Sequence, residues 1–246
     1  MSNDWFLPKN LEKSQAECMS SDPETMSGGG DFGSYARANR GVGLTGSGIE
    51  SHNLTNPSVR IFLYKHILGS ASRVKIADLG CGLGFSSKAL ADVFFANVDG
   101  YEVSLDAVQF SKRTWPGLCF FCRAIEPGVP LGQMYDLIVA QEFYPFTRTA
   151  DFSIHLGYID ALERSLNSGG VLLIGLSGGT KESILSNISK LQDQLKNKSL
   201  NISLVRLPFD KIYQKLPFYA IANLLSLILS FLMKKPRFCV VLIERK

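Results

Sequence analysis

Cysteine and histidine, two of the side chains that most often hold metal ions, are scarce in this chain. It contains five cysteines and three histidines among 246 residues. Cys119 and Cys122 form one CxxC, in "CFFC", but no second CxxC or HxxxH supplies the remaining ligands of a zinc site. We therefore expect no metal, and we interpret the two thiols as small apolar residues of a buried strand.

A large excess of one charge is also lacking. The chain has 26 Lys and Arg against 22 Asp and Glu, a formal net charge of +4. This is far from the strongly basic surface of a dedicated nucleic-acid-binding protein, so we expect no nucleic-acid partner. The N-terminus shows no secretory signal, and an odd number of scattered cysteines does not suggest a disulfide framework. We therefore expect a reducing, cytoplasmic location.

The first 57 residues show little hydrophobic periodicity. Residues 1–27 are rich in Ser, Asp and Glu, which predicts a flexible tail. Residues 28–57 are rich in Gly, Ser and Asn, and two hypotheses fit them: a lid that closes over a site, or a surface linker. The pattern predicts one domain over 58–246, and its first helix has Asn56 as a suitable N-cap.

Short apolar segments then alternate with helical ones. "VKIADLG", "YDLIVAQ" and "VLLIGLS" have the composition of buried strands, and "FSSKALADVFF" has the spacing of a helix between them. Another predicted helix begins at Asp151 and ends at Gly169-Gly170. Strands that alternate with helices predict an α/β fold, with a mostly parallel sheet and helices on both faces.

A glycine-rich loop follows the first of these strands. In "VKIADLGCGLGFSS", Gly80, Gly82 and Gly84 come directly after the strand. Ligands of parallel sheets bind beyond the carboxyl ends of the strands, and glycine lets a ligand approach the backbone closely. Glu102 ends the next strand, 22 residues after Gly80, where an acid can accept both hydroxyl hydrogens of a ribose.

Two residues of this loop argue against a dinucleotide. Phe85 occupies the place of the third glycine in the Gly-x-Gly-x-x-Gly pattern. Asp78, just before the loop, is a poor neighbour for a pyrophosphate and a good one for a cation. A nucleoside with an amino group and a sulfonium fits better, and that ligand is S-adenosylmethionine.

At these residues the sequence resembles the class I S-adenosylmethionine-dependent methyltransferases. "ADLGCGLG" is similar to their first motif, "VDGYEVS" to the second and "MYDLIVAQEFYPF" to the fourth, and "LERSLNSGGVLLIGLS" resembles the helix, turn and strand that follow. The resemblance covers residues 60–176. It implies a Rossmann-like sheet that is mostly parallel with an antiparallel last strand, S-adenosylmethionine as cofactor, and methyl transfer.

The resemblance also implies roles for individual residues. Asp78 would lie near the methionine amino group, Glu102 on the ribose hydroxyls, and Val103 on the adenine. The third motif usually has an acid followed by an apolar residue, whereas Ala124 and Ile125 stand at those positions here. The remaining cofactor-binding candidates are Gly80, Cys81, Gly82, Gly84 and Gln141.

Transfer to a hydroxyl needs an aligned acceptor and a base that removes its proton. The segment after the fourth strand, "QEFYPFTRTADFSIH", offers Glu142 and His155 as catalytic candidates. His155 also falls on the apolar stripe of its helix, so a histidine packed in the core is the alternative. Glu142 is either a base or an anchor for the substrate.

The segment 216–233 has 18 residues and no charge, with lysines on both sides. The strand-like "FCVVLIER" that follows must return to the sheet, which argues against a helix that crosses a membrane. Three interpretations stay open: a buried helix or homodimer surface, a helix in the membrane interface with basic flanks, or a cap over the pocket of a hydrophobic acceptor.

The sequence therefore predicts a methyltransferase that acts on a small-molecule, sugar or lipid-linked acceptor, at a hydroxyl. "EFYPFTRT" resembles the same segment in bacterial methyltransferases found with polysaccharide biosynthesis, which implies a sugar hydroxyl. One alternative is an NAD-dependent or nucleotide-sugar enzyme with a variant glycine loop. The other is a non-catalytic interaction or membrane-docking module, which the missing third-motif acid favours.

Overall fold

The computed structural model describes residues 49–69, 74–103, 105–176, 183–196, 198, 200–216, 218–234 and 237–246. The predicted tail and the predicted lid up to residue 48 lie outside them. Helix α1 (Ile49–Leu68) begins before Asn56, so the predicted cap at that residue is wrong. The helix continues through Pro57.

Seven strands and seven further helices follow α1 in the described residues. The strands are β1 (Lys75–Leu79), β2 (Asn97–Glu102), β3 (Cys119–Cys122), β4 (Tyr135–Gln141), β5 (Leu166–Leu176), β6 (Leu200–Arg206) and β7 (Cys239–Arg245). The helices are α2 (Phe85–Phe94), α3 (Leu105–Thr114), α4 (Tyr144–Thr147), α5 (Phe152–Glu163), α6 (Ile188–Leu195), α7 (Asp210–Lys215) and α8 (Tyr219–Met233), and a 3₁₀ turn (Ile184–Asn187) precedes α6.

The strands form one sheet in the order β3-β2-β1-β4-β5-β7-β6. The first five strands of this order pair in parallel, and β7 pairs antiparallel with both β5 and β6. The predicted mostly parallel sheet with an antiparallel last strand is therefore confirmed. Because β6 runs in the same direction as β1 and β4, the carboxyl ends of all the parallel strands and of β6 lie at one edge, here called the carboxyl edge.

The core lies on both faces of this sheet. Along β4, Leu137 and Val139 face one hydrophobic cluster, and Ile138 and Ala140 face the other. All four side chains are fully buried. A strand without an exposed face explains the uninterrupted apolar run in the sequence, because alternation disappears when both faces are covered.

Two sequence predictions are wrong at the margins of the sheet. Cys119 and Cys122 lie in a strand as predicted, but both are exposed, because β3 is an edge strand. Helix α5 ends at Glu163 rather than at Gly169-Gly170, and both glycines lie within β5. Gly169 has a φ of +72°, and the β4–β5 register shifts at this level, so glycine is needed for a strand irregularity rather than for a helix end.

The apolar segment 216–233 forms the helix α8, which the structure leaves largely exposed. Only Ala222 and Ser226 of this helix are buried, so the buried-helix interpretation is wrong for the described chain. Among the described residues, none of the helices combines the length and the hydropathy needed to cross a membrane.

Candidate cofactor site

The glycine loop leaves β1 at the carboxyl edge and is tied to β2. The backbone N–H groups of Gly80 and Cys81 both donate to the carbonyl of Tyr101, at 2.8 and 3.1 Å. Gly80, Gly82 and Gly84 have φ values of +67°, +54° and +78°. Since this left-handed region is costly for other residues, the three glycines are what allow so tight a turn.

Packing imposes a second requirement on one of these glycines. A Cβ at Gly84 would lie 2.8 Å from the ring of Phe120 and 2.9 Å from Trp115. The Trp115 indole N–H in turn donates to the carbonyl of Leu83 at 3.1 Å. The loop therefore lies directly on aromatic side chains, and no larger residue fits at Gly84.

Asp78, at the end of β1, is a buried acid held by two serines. It is 2% exposed, and its Oδ2 accepts hydrogen bonds from the hydroxyls of Ser86 and Ser87 at 2.6 and 2.7 Å. Burial raises the pKa of Asp78 to about 6, the two serine hydrogen bonds oppose this rise, and the charge of Glu102 adds to it. A positively charged ligand nearby would stabilise the ionised form.

Glu102, at the end of β2, lies on the other side of the loop. Its Oε2 accepts the backbone N–H of Gly82 at 2.9 Å, and its Oε1 accepts the backbone N–H of Val103 at 2.8 Å. Glu102 is only 8% exposed, and these two hydrogen bonds fix the orientation of its carboxylate.

Asp78 and Glu102 flank the loop. Burial, together with the charges of these two acids, raises the pKa of the Cys81 thiol well above its ordinary value. The site suits a cation and repels a pyrophosphate.

Gln141 ends β4 beside this loop and contacts a residue that the sequence did not single out. The phenol hydroxyl of Tyr64, in α1, donates to Oε1 of Gln141 at 3.2 Å. A Cβ at Gly175 in β5 would lie 2.6 Å from the same hydroxyl. Tyr64 is fully buried. It was missed because it is one apolar residue among several in a periodic helix, and only folding brings it to Gln141.

Solved structures of methyltransferases superpose on this fold. The plantazolicin methyltransferase BpumL, in complex with a desmethylPZN analogue and SAH, superposes with a TM-score of 0.54 over 99% of this chain and 100% of its own, at 16% identity. An S-adenosylmethionine-dependent methyltransferase of Clostridium acetobutylicum superposes with a TM-score of 0.52 over 77% of this chain and 91% of its own, at 13% identity. The chain has the class I S-adenosylmethionine-dependent methyltransferase fold.

A sequence relative agrees with this fold. A malonyl-[acyl-carrier protein] O-methyltransferase of Acetivibrio thermocellus is 29% identical over 114 residues. The match covers 45% of this chain and 38% of the relative, so it spans well under half of the curated relative's length. No family model matches the chain. The resemblance predicted from the motifs is confirmed.

In this methyltransferase fold, the third-motif residues lie after β3. Ala124 is half-buried. Ile125 is buried in the core, and its carbonyl accepts a hydrogen bond from the hydroxyl of Tyr158 at 2.9 Å. Val103, which directly follows Glu102, is half-buried. Val103 therefore lies directly beside Glu102, and Ile125 contacts α5 through Tyr158.

His155 lies on the core side of α5. It has no exposed surface. Its Nδ1 is 3.1 Å from the side-chain amide nitrogen of Asn187, and its Nε2 is buried without a hydrogen-bond partner in the described part of the chain. Burial lowers the pKa of His155, which the carbonyls of Thr149 and Pro145 partly offset. A neutral imidazole is therefore favoured there.

Glu142 lies at the carboxyl edge, directly after Gln141. Its φ of +51° falls in the left-handed region, although two other non-glycine residues with this geometry, Phe95 and Lys234, cap helix ends. The backbone N–H of Glu142 donates to the carbonyl of Gly175 at 2.9 Å, which holds this conformation. Non-glycine residues that their surroundings hold in this region cluster at active sites, which makes Glu142 a candidate functional residue.

The described residues contain no group of three or more His, Cys, Asp and Glu side chains able to hold a metal ion. The two acids of the site lie at the ends of β1 and β2 and flank the glycine loop. The arrangement places two carboxylates at the carboxyl edge, where they can attract a cationic group and accept hydrogen bonds.

Proposed function

We propose that the chain is a methyltransferase that uses S-adenosylmethionine. The observation that carries this proposal is the pair of buried carboxylates, Asp78 and Glu102, on either side of a loop of three left-handed glycines. The fold supports it, because a protein with the same fold was solved with SAH bound. The bound cofactor would supply a methyl group already activated on a sulfonium.

In this proposal, each residue of the site has one role. Asp78 pairs with the methionine amino group, directly or through water, and Glu102 accepts the ribose hydroxyls. Gly80, Cys81 and Gly82 line the methionyl part with backbone, and Gly84 keeps the turn close enough for that contact. Gln141, oriented by Tyr64, lies beside the methionine. Val103, Ala124 and Ile125 form the adenine side.

The acceptor in this proposal is a hydroxyl of a small molecule, a sugar or a lipid-linked compound. The Acetivibrio relative is named as an O-methyltransferase, which favours oxygen over nitrogen. The resemblance of "EFYPFTRT" to segments of methyltransferases from polysaccharide biosynthesis favours a sugar. A cytoplasmic location belongs to the same proposal, and the four described cysteines, all free thiols, support it.

Of the two candidates for a general base, we rank Glu142 before His155. Glu142 lies at the carboxyl edge, where the acceptor must approach the sulfonium, whereas His155 has no exposed surface. A base has to come within hydrogen-bond reach of the proton that it removes. His155 would meet this requirement only for an acceptor that enters between α4 and α5.

Calorimetric titration with S-adenosylmethionine, SAH and NAD tests the proposed cofactor. We expect saturable binding of the first two and none of NAD. Binding of NAD alone would revive the dinucleotide alternative. Binding of S-adenosylmethionine without transfer of labelled methyl to any acceptor in a panel of sugars, polyprenol-linked sugars and acyl thioesters would favour a non-catalytic module.

A further inference from the structure

Helix α8 turns its polar side to the protein. Ala222 and Ser226 have no exposed surface, and the Ser226 hydroxyl accepts the backbone N–H of Phe209 at 2.9 Å. Asn223, on the same side, accepts a hydrogen bond from the guanidinium of Arg237 at 2.7 Å. A surface helix of a globular protein ordinarily has the opposite arrangement, with its apolar side on the core.

The outward side of α8 is a continuous apolar surface, here called the α8 face. Its most exposed side chains, each more than half exposed, are Ile221, Leu224, Leu227, Phe231, Leu232 and Met233. Phe231 alone is 83% exposed, and no residue from 219 to 233 is charged. Single exposed apolar residues are ordinary, but a contiguous apolar face on a protein surface indicates an interaction site.

Positive charge lies at both ends of the α8 face. Lys211 and Lys215 precede the helix and Lys234 follows it, all three exposed. From residue 206 to residue 243 the sequence has six Lys and Arg and one acid, Asp210. That acid is already in an ion pair with Arg60, with Nε and Oδ2 at 3.1 Å. The charge therefore complements an anionic surface.

The positive charge at both ends of α8 also favours a lipid surface over a second copy of the chain as the partner of the α8 face. Two copies that joined α8 faces would bring lysines against lysines in either relative orientation, because both ends of the helix are basic. Like charges brought together oppose association, whereas anionic lipid head groups attract each of these lysines.

The length of α8 fits the surface of a bilayer rather than its interior. Fifteen residues extend about 22 Å as a helix, less than the hydrocarbon core of about 30 Å. We propose that the α8 face docks the protein on an anionic bilayer, with the apolar side chains at the boundary of head groups and acyl chains. The lysines at both ends then contact the head groups.

The docking surface lies at the same edge of the sheet as the cofactor site. β6 ends at the carboxyl edge, and α7 and α8 follow it directly. Helix α1 connects the two regions, because Tyr64 bonds Gln141 of β4 and Arg60 pairs with Asp210 of α7. A docked chain would thus hold its cofactor edge near the bilayer and reach a lipid-linked acceptor. This last step rests on the proposed function, whereas the docking does not.

Vesicle flotation of the full chain tests the docking without any methyl transfer. Phosphatidylcholine vesicles with and without phosphatidylglycerol are compared at low and high salt. We expect binding to the anionic vesicles, weaker binding at high salt, and little binding to phosphatidylcholine alone. Phe231→Ser should weaken binding several-fold, and a double variant with Leu224→Ser should weaken it further. Lys211→Gln with Lys215→Gln and Lys234→Gln should weaken it at least about tenfold.

Phe95→Ser is the matched control. Phe95 is 90% exposed, but it lies at the end of α2, away from the carboxyl edge, so this variant should bind like the wild type. Thermal unfolding and S-adenosylmethionine binding show that each variant is folded. No binding of the folded wild type to anionic vesicles would overturn the proposal. A stable dimer in light scattering that Phe231→Ser dissociates, without vesicle binding, would overturn it in favour of a second copy.

Discussion

The backbone N–H of Gly82 donates a hydrogen bond of 2.9 Å to Oε2 of Glu102. This contact joins the middle of the glycine loop to the end of β2, across twenty residues of chain. It fixes the carboxylate of the proposed ribose site before any ligand arrives. The geometry of the loop and the charge of the site therefore depend on the same side chain.

Removal of this carboxylate should weaken cofactor binding. In Glu102→Ala, the ribose hydroxyls lose a charged acceptor, and we expect the affinity for S-adenosylmethionine to fall by about tenfold or more, equivalent to about 1.4 kcal/mol. Calorimetric titration measures this change. Glu244→Ala removes an exposed glutamate near the end of β7 and should leave the affinity unchanged. An unaltered dissociation constant in Glu102→Ala would contradict the assigned ribose contact.

Gly84→Ala should destabilise the protein. The new Cβ would meet Phe120 and Trp115 at 2.8 to 2.9 Å, at a φ of +78°. Overpacking together with a left-handed alanine should lower the free energy of unfolding by about 2–4 kcal/mol. Urea unfolding measures it. Gly117→Ala is the control, since a Cβ there meets nothing within 4 Å, and equal losses in both variants would refute the packing argument.

Cofactor affinity should depend on pH through Asp78. Its pKa is raised to about 6, mainly by burial, so the carboxyl is half protonated near that pH and pairs poorly with an ammonium group. We expect the affinity for S-adenosylmethionine to rise from about pH 5 to about pH 7 and then to level off. Asp78→Asn should bind weakly at every pH, whereas Asp92→Asn, an exposed site on α2, should keep the wild-type profile. A flat wild-type profile would argue against this carboxylate as the cation partner.

The raised pKa of Asp78 also affects protein stability. Its contribution to stability should decrease as the pH rises, whereas the affinity for the cofactor should increase. Between 3.8 and about 6, the folded chain holds a proton that the unfolded chain has released. The contribution of Asp78 to the free energy of unfolding therefore falls as the pH rises through this window. Asp78→Asn, which can still accept both serine hydrogen bonds, should exceed the wild type by about 1–3 kcal/mol at neutral pH and match it near pH 4. Urea unfolding of both chains at the two pH values measures this, and a destabilised variant at neutral pH would contradict it.

The cofactor side was predictable because its signals are local in the sequence. The glycines, Asp78 and Glu102 lie at the ends of two successive strands, and the apolar runs of β1 and β4 reveal burial on both sides. Tyr64 was not predictable, because 77 residues separate it from Gln141. The exposure of Cys119 and Cys122 follows from the position of β3 at the edge of the sheet, which composition does not reveal.

The sequence contains a weak indication of how α8 is oriented. Asn223, Ser226 and Ser230 recur at helical spacing within an otherwise apolar segment, which indicates one polar side. Which side faces the protein depends on the partners of these residues, such as Phe209 and Arg237, and these are set only by the fold. Hydropathy alone therefore suggested burial where the structure has exposure.

The final prediction concerns the general base. Glu142→Gln keeps the size of the side chain and removes its basicity, so methyl transfer to a hydroxyl acceptor should slow by about 10²–10⁴-fold, with S-adenosylmethionine affinity unchanged. His155→Gln should instead act on stability, because the buried ring packs between α4 and α5 and pairs with Asn187. Single-turnover transfer of labelled methyl, measured together with urea unfolding, separates the two effects.

The pH dependence of stability is a second way to distinguish a structural role of His155 from a catalytic one. Its pKa is lowered by burial, so the unfolded chain takes up a proton first, and the contribution of His155 to stability should fall as the pH drops below about 6.5. His155→Gln should lose this dependence while it retains most of its transfer rate at neutral pH. If His155→Gln were fully folded but inactive, and Glu142→Gln active, the base would be the histidine, and the acceptor would have to enter between α4 and α5.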